Sequence, residues 1–260
     1  MVIGLGRLPS RRRKSSNMKR AELEQTKRDF VAALRIINRK GLSDAFAHLS
    51  ARLNGGEKML FMPRKSPALV QTKDLFVIDF DKEAPQSSVH QAIYKARPDV
   101  HAVMHFHSPY AILLSVTGET VRPMHNYSAI FFEGVPLFGK PGQTETPEKA
   151  AEIARALGPC KAILLRGHGA VVVAQSIPGV CMLSLYLEES ARLQAEAMRL
   201  GSPSYLTREE AERIARSTFK PASTQRPGSI SKLSSKPPLN SYFCFFSCFL
   251  LVLTFTSPAY

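Results

Sequence analysis

Helical and extended periods alternate along this chain. Over residues 18–40, Phe30, Leu34 and Ile37 recur at i, i+4 and i+7, Val31 widens the stripe, and Gly41 sits where helices end. Leu42–Leu53 reads as a loop passing into a strand, Asn54-Gly55-Gly56 as a turn, and Met59–Met62 as the next strand. The near-continuous apolar run Leu75–Phe80 predicts a strand in a buried position. Ser87 or Ser88 caps a short helix that stops at Ala96, because Arg97 precedes Pro98 and is pushed away from helical dihedrals.

The strongest strand signal is Val100–His107. Val100, Ala102, Met104 and Phe106 fall on one face, and His101, Val103, His105 and His107 on the other. Ser108 then reads as an N-cap and Pro109 as the first residue of a helix. Val121–His125 and Val135–Phe138 predict two short strands. Thr146, Pro147 and Gly158 delimit a further helix. Ala162–Arg166 and Ala170–Ala174 predict strands flanking Gly167-His168-Gly169. Pro178–Leu200 predicts a long helix with Glu188 and Glu189 on its wet side, and Thr207 with Glu210 forms a capping box for a last helix to Thr218.

Composition divides the 260 residues into a body and two tails. The net charge is +14, but residues 1–20 and 218–260 together hold eleven of the basic residues and no acid, leaving about +3 for the part between them. The basic excess belongs to the tails, so nucleic-acid binding by the folded part is not implied. Residues 1–17 read as a disordered basic extension, 18–219 as one domain, 220–241 as a Ser/Pro/Lys-rich disordered linker, and 242–260 as a hydrophobic tail. The apolar run Tyr242–Phe255 is shorter than the roughly 20 residues a spanning helix needs, so membrane contact through it is the lesser expectation. Cys160, Cys181, Cys244 and Cys248 form no CxxC pair, the first two read as buried apolar fillers, and the body reads as cytoplasmic.

The candidate chemistry is a metal site. His105 and His107 stand side by side at a strand end, where α/β folds keep their functional groups. His168, between two glycines at the end of another apolar strand, is the natural third ligand. Three neutral imidazoles leave a coordination position open for substrate, as catalytic rather than structural sites do. His101 reads as a packed or hydrogen-bonded neighbour of this group. His90 reads equally as such a neighbour or as core, and Ser50 and Arg52 as strand-end or backbone contacts.

Several motifs occur together in order: Gly41-Leu42-Ser43, His48-Leu49-Ser50-Ala51-Arg52, His90-Gln91-Ala92-Ile93-Tyr94, Arg97-Pro98-Asp99-Val100, His105-Phe106-His107-Ser108-Pro109 and Leu165-Arg166-Gly167-His168-Gly169-Ala170. The run resembles the class II aldolase/adducin family from Gly41 to about Gly201. The resemblance implies an α/β fold, a three-layer α/β/α arrangement around a mainly antiparallel sheet. It also implies a divalent metal ion on His105, His107 and His168, zinc first and Mn, Co or Fe after it, and a homotetramer with sites between subunits.

This chain departs from the family pattern in three places. Family aldolases carry a catalytic Glu four residues before the histidine matched by His90; here that position is Gln86, an amide that cannot carry a proton at neutral pH. Glu83, in a shortened segment, is the candidate to take over that role. The family's phosphate cradle is not recognisable: His48 stands for its Asn, and Pro63-Arg64-Lys65-Ser66-Pro67 for a Ser/Thr-Gly loop. His48, Arg64 and Ser66 remain as candidate substrate-binding residues, with the cationic side chains suited to an anion. The start Gly41–Phe46 resembles the branch that includes decarboxylases of hydroxylated aromatic acids and a metal-dependent oxygenase. Tyr127 lies where the family often has a tyrosine proton donor.

The chain therefore reads as a metal-dependent carbon–carbon lyase, of aldolase or decarboxylase type. Its expected substrate is a small non-phosphorylated oxo- or hydroxy-acid, cleaved through a metal-stabilised enolate. Two other readings stay open: a mononuclear iron oxygenase on the same three histidines, and a catalytically silent adducin-head-like interaction module.

Overall fold

The computed structural model describes residues 11–43, 45–53, 57–82, 84–142 and 146–219, with side chains from Arg20 onward. The turn Asn54-Gly55-Gly56, Glu83, the linker 220–241 and the tail 242–260 lie outside the described residues. Among the described residues no helix is long and apolar enough to cross a membrane. The chain runs α1 (Arg11–Arg39), β1 (His48–Arg52), β2 (Lys58–Phe61), β3 (Phe76–Asp79), α2 (Ser88–Ala96), β4 (Ala102–Phe106), α3 (Pro109–Val116), β5 (Leu137–Phe138), α4 (Pro147–Leu157), β6 (Ala162–Leu165), β7 (Gly169–Ala174), α5 (Ile177–Leu200) and α6 (Arg208–Thr218). Short 3-10 turns occupy Pro85–Ser87 and Ser128–Phe131.

The seven strands form one sheet in the order β3-β2-β1-β4-β7-β6-β5. Every neighbouring pair is antiparallel except β5–β6. One face packs Ala102, Met104 and Phe106 of β4 against Phe30, Leu34 and Ile37 of α1, Ala111 and Leu114 of α3, and Val180 and Leu187 of α5. The other packs Val103, Val171 and Phe61 against Ile93 and Tyr94 of α2 and Ile153 and Leu157 of α4. The result is the expected three-layer arrangement around a mostly antiparallel sheet.

Local signals explain the element ends. Thr146 Oγ1 accepts from Lys149 N at the start of α4, and Gly158 closes that helix with φ 51°. Thr207 and Glu210 form both bonds of the capping box on α6.

The structure corrects several expectations. Helix α1 begins at Arg11, inside the stretch expected to be an extension. Strand β3 is an edge strand, with Phe76 42% and Val77 49% exposed, because β2 alone pairs with it. No strand forms at Val121–His125: the Arg122 N–H donates to Gln194 Oε1, and the Pro123 carbonyl accepts from Leu206 N. Those backbone groups are satisfied by α5 and the loop before α6, and Pro123 has no N–H for a ladder. Val135–Phe138 is reduced to the two residues of β5. Val100 joins Val103 in the second core rather than the first, since the regular pleat begins only at Ala102.

Candidate metal centre and substrate pocket

β4 lies between β1 and β7, and all five of its residues are buried. Its alternation sends Met104 and Phe106 into one core and turns His105 toward the other face. His107 follows the last strand residue. The β6–β7 hairpin is closed by Arg166-Gly167-His168, which brings His168 beside the end of β4. The ligand nitrogens of His105, His107 and His168 all lie within 4.8 Å of one another. Their ring centroids are 4.9 to 5.2 Å apart.

Two glycines make this convergence sterically possible. Gly167 adopts φ +68°, a left-handed conformation that suits glycine. Gly169 runs so close to β4 that a Cβ there would lie 2.3 Å from the Phe106 carbonyl oxygen and 3.2 Å from His107 Cδ2.

The corner is braced from behind by Ser115, which the sequence did not single out, and by Ser108 and Glu188 in roles other than those expected. Ser115 Oγ, on α3, accepts from Gly167 N at 3.0 Å and donates to Ile112 O. Ser108 does not cap α3 with its own hydroxyl; it donates instead to Glu188 on α5. Glu188 also accepts from Tyr110 N at 3.2 Å and Ala111 N at 3.3 Å, so an acid eighty positions away caps the helix. Glu188 is therefore half-buried and not on the wet side of its helix.

Burial favours the neutral form of His105 and His168. Burial holds His105 well below the ordinary histidine range, and the neighbouring histidines add to this. His168 is lowered by burial first and then by His107 and Lys149. The His105 Nδ1–H donates to the Ala170 carbonyl at 3.0 Å, which leaves Nε2 as its open lone pair. His168 Nδ1 is buried and has no hydrogen-bond partner among the described residues. Three converging imidazoles, one fixed in tautomer by a carbonyl and another with a buried nitrogen lacking a partner among the described residues, fit a divalent metal ion.

His48 pairs with His105 across β1 and β4, with centroids 6.2 Å apart. Burial, then the charges of His107, Arg64 and His168, push its pKa down to about 4. His48, Arg64 and Ser66 line one pocket of about 190 Å³, together with Phe46 and Lys65. Lys65 is engaged by Asp74 at 2.8 Å.

The other sequence candidates sit differently. Gln86 is half-buried in the 3-10 turn that enters α2, one turn before His90. Tyr127 is 47% exposed and stacks on Tyr186 at 4.7 Å, and its ring contacts do not include the three histidines. His101 is exposed and turns back to the Asp99 carbonyl, because it precedes the strand at the end away from His105. Ser50 does more than hold a strand end: it bonds His90 and Tyr94. Arg52 is a backbone clamp, donating to the carbonyls of Val100, Tyr94 and Arg97.

Comparison with known proteins agrees with this geometry. The profile of the Class II Aldolase and Adducin N-terminal domain matches residues 28–195. The chain is 26% identical over 205 residues to Decarboxylase tropJ of Talaromyces stipitatus, covering 67% of this chain and 77% of that protein. It is 25% identical over 193 residues to a 3,4-dihydroxyphthalate decarboxylase of Arthrobacter keyseri, covering 65% and 77%. Among solved structures, an L-fuculose 1-phosphate aldolase from Glaciozyma antarctica superposes with a TM-score of 0.70 at 25% identity, over 79% of this chain and 86% of that one.

Proposed function

Because this chain belongs to the class II aldolase and adducin family and gathers His105, His107 and His168 at one strand end, we propose that it is a metal-dependent carbon–carbon lyase. Decarboxylation of a small hydroxylated acid without a phosphate is the favoured reaction. The observation that carries this reading is the convergence of the His105, His107 and His168 nitrogens within 4.8 Å. The kinship with two decarboxylases supports the choice of reaction.

His105, His107 and His168 would hold the ion, with zinc first and Mn, Co or Fe after it. Once bound, it supplies Lewis-acid polarisation of a substrate oxygen. His48 is uncharged near neutral pH and offers a hydrogen bond to the substrate without competing for it as a cation. Arg64 and Ser66, across the same pocket, suit a carboxylate. Gln86 can give and accept hydrogen bonds but cannot shuttle a proton. Loss of CO2 breaks the C–C bond and leaves its electron pair on the substrate, so it needs no base to start. Aldol cleavage must first take a hydroxyl proton. The amide at position 86 therefore harms decarboxylation less. The same reading carries a cytoplasmic homotetramer as the working form.

The test is elemental analysis of the full-length protein beside His105→Ala and His168→Ala, followed by a CO2-release assay on 3,4-dihydroxyphthalate and simpler hydroxybenzoates. About one ion per chain, lost in both variants, with CO2 released in the absence of oxygen, is the expected outcome. Turnover only in oxygen would point to the oxygenase reading. A folded wild type that takes up no metal would overturn both enzymatic readings in favour of the interaction module, which Gln86 favours.

A further inference from the structure

His90 is a buried histidine that the metal-binding group does not use. It is 1% exposed, its Nδ1 lies 2.7 Å from Ser50 Oγ, and Ser50 Oγ lies 2.9 Å from the Tyr94 hydroxyl. All three side chains are buried, so the direction of each hydrogen bond is constrained. The Tyr94 hydroxyl proton has two acceptors within reach, Ser50 Oγ and the His101 carbonyl. Ser50 Oγ, at 2.9 Å, is a better acceptor for it than the His101 carbonyl at 3.5 Å. Ser50 then donates to His90 Nδ1. Burial keeps the His90 ring neutral. A neutral imidazole whose Nδ1 accepts carries its proton on Nε2. That nitrogen is buried and has no partner among the described residues.

The neighbours show which side of the sheet this group occupies. His48 and Ser50 are two apart on β1 and share a face. His90 contacts both, so its ring lies over that face. The face is the one toward which His105 turns, since His48 and His105 are cross-strand partners. Centroids run from His90 to His48 at 6.4 Å and from His48 to His105 at 6.2 Å. Phe61 closes the other side of the His90 ring at 5.3 Å. A buried donor left without an acceptor costs stability unless something accepts from it.

We infer that His90 is a substrate-contacting residue whose Nε2–H donates a hydrogen bond to a carboxylate or enolate oxygen of a hydroxylated acid seated beside His48. This rests on the lyase reading above. No proton leaves His90: the hydrogen bond strengthens as negative charge gathers on the accepting oxygen, and the Tyr94–Ser50 pair holds the ring in the donating tautomer. Such a fixed donor in a water-poor site stabilises developing charge more than it would in water.

The test is NMR of the full-length, zinc-loaded protein labelled with 15N at histidine, using 3,4-dihydroxyphthalate as the probe. The expected result is a His90 ring protonated at Nε2, whose N–H resonance moves when the acid binds. His90→Phe should bind the acid about 10- to 100-fold more weakly. His90→Gln retains a side-chain N–H donor and should recover most of the affinity at unchanged zinc content and melting temperature. A proton on Nδ1, an unmoved resonance with the acid bound, or wild-type affinity in a folded His90→Phe would overturn this contact alone. Binding without CO2 release would overturn the reaction assigned above and leave the contact standing. An acid that does not bind the wild type at all would overturn both.

Discussion

Replacing Gly169 by alanine tests whether the metal group depends on the close approach of β7 to the end of β4. The added Cβ would sit 2.3 Å from the Phe106 carbonyl oxygen and 3.2 Å from both the Phe106 carbonyl carbon and His107 Cδ2. The oxygen and carbon belong to backbone, so no flexible side-chain end can yield. Contact distances below 3.0 Å are not sustained, so the two strands must part by about 0.7 Å or more at this point. The Phe106–Ala170 pair lies one residue further along the same ladder, and Ala170 holds His105 through its carbonyl. The displacement therefore acts on all three histidines: His107 by direct contact, His168 by chain connection, and His105 through its hydrogen bond. Overpacking of this kind costs about 1–3 kcal/mol, or roughly 2–4 °C of melting temperature per kcal/mol in a domain of this size. Disturbing the partner that orients a ligand costs about 10- to 100-fold in metal affinity.

Gly167→Ala is the control. A Cβ there meets only Val116 Cγ1, at 3.8 Å, but must adopt φ +68°. It should cost about 1–2 kcal/mol of stability through backbone strain and leave metal affinity within a few-fold of wild type. The assay is zinc competition against a chromophoric chelator, with thermal unfolding of the metal-free proteins alongside. A Gly169→Ala protein that binds zinc like the wild type, or a Gly167→Ala protein that loses zinc more severely, would refute the argument.

Two further outcomes follow from the geometry. Glu188→Ala strands the Ser108 hydroxyl and the Tyr110 and Ala111 N–H groups, and should lower stability by about 2 kcal/mol in urea unfolding; Glu188→Gln, still able to accept, should lose less. His48, His90, His105 and His168 are all held below the ordinary 6.5, first of all by burial, so as pH falls the unfolded chain takes up protons before the folded one. Stability of the metal-free protein should thus be full above about pH 6.5 and decline toward pH 4, by up to about 1.4 kcal/mol per pH unit for each histidine, and equal urea midpoints at pH 7 and pH 5 would refute it.

How far the sequence was legible depended on whether a residue's role was local. The α2 stop at Arg97, the α4 cap at Thr146 and the α6 capping box are set by neighbours within a few positions, and each formed where expected. The apolar run at Leu75–Phe80 was misjudged because a continuous hydrophobic stretch says nothing of how many strands flank it; β3 has one neighbour, and Phe76 and Val77 face outward. Val121–His125 forms no strand: its backbone partners include Gln194 and Leu206, which no local pattern announces. Glu188 carries a related lesson at the site: its charge reads as solvent-facing, yet it lies on the stripe of Cys181, Ser184, Ala191 and Ala195, and the packing of α5 on α3 turns it into a cap.

The same register sets both the core and the histidine group. β4 is buried on both faces between β1 and β7, and its alternation commits Ala102, Met104 and Phe106 to one core while His105 faces the other side. A slip of one residue would bury His105 among α1, α3 and α5 and expose Met104 to His48 and His168. The core's preference for Met104 and Phe106 therefore fixes the direction of His105, and the Gly167–Gly169 turn brings His168 to it. The histidine group needs no separate folding instruction, which is why His105 and His107 could be read from alternation and His168 from its flanking glycines, while the braces behind them, Ser115 and Glu188, could not.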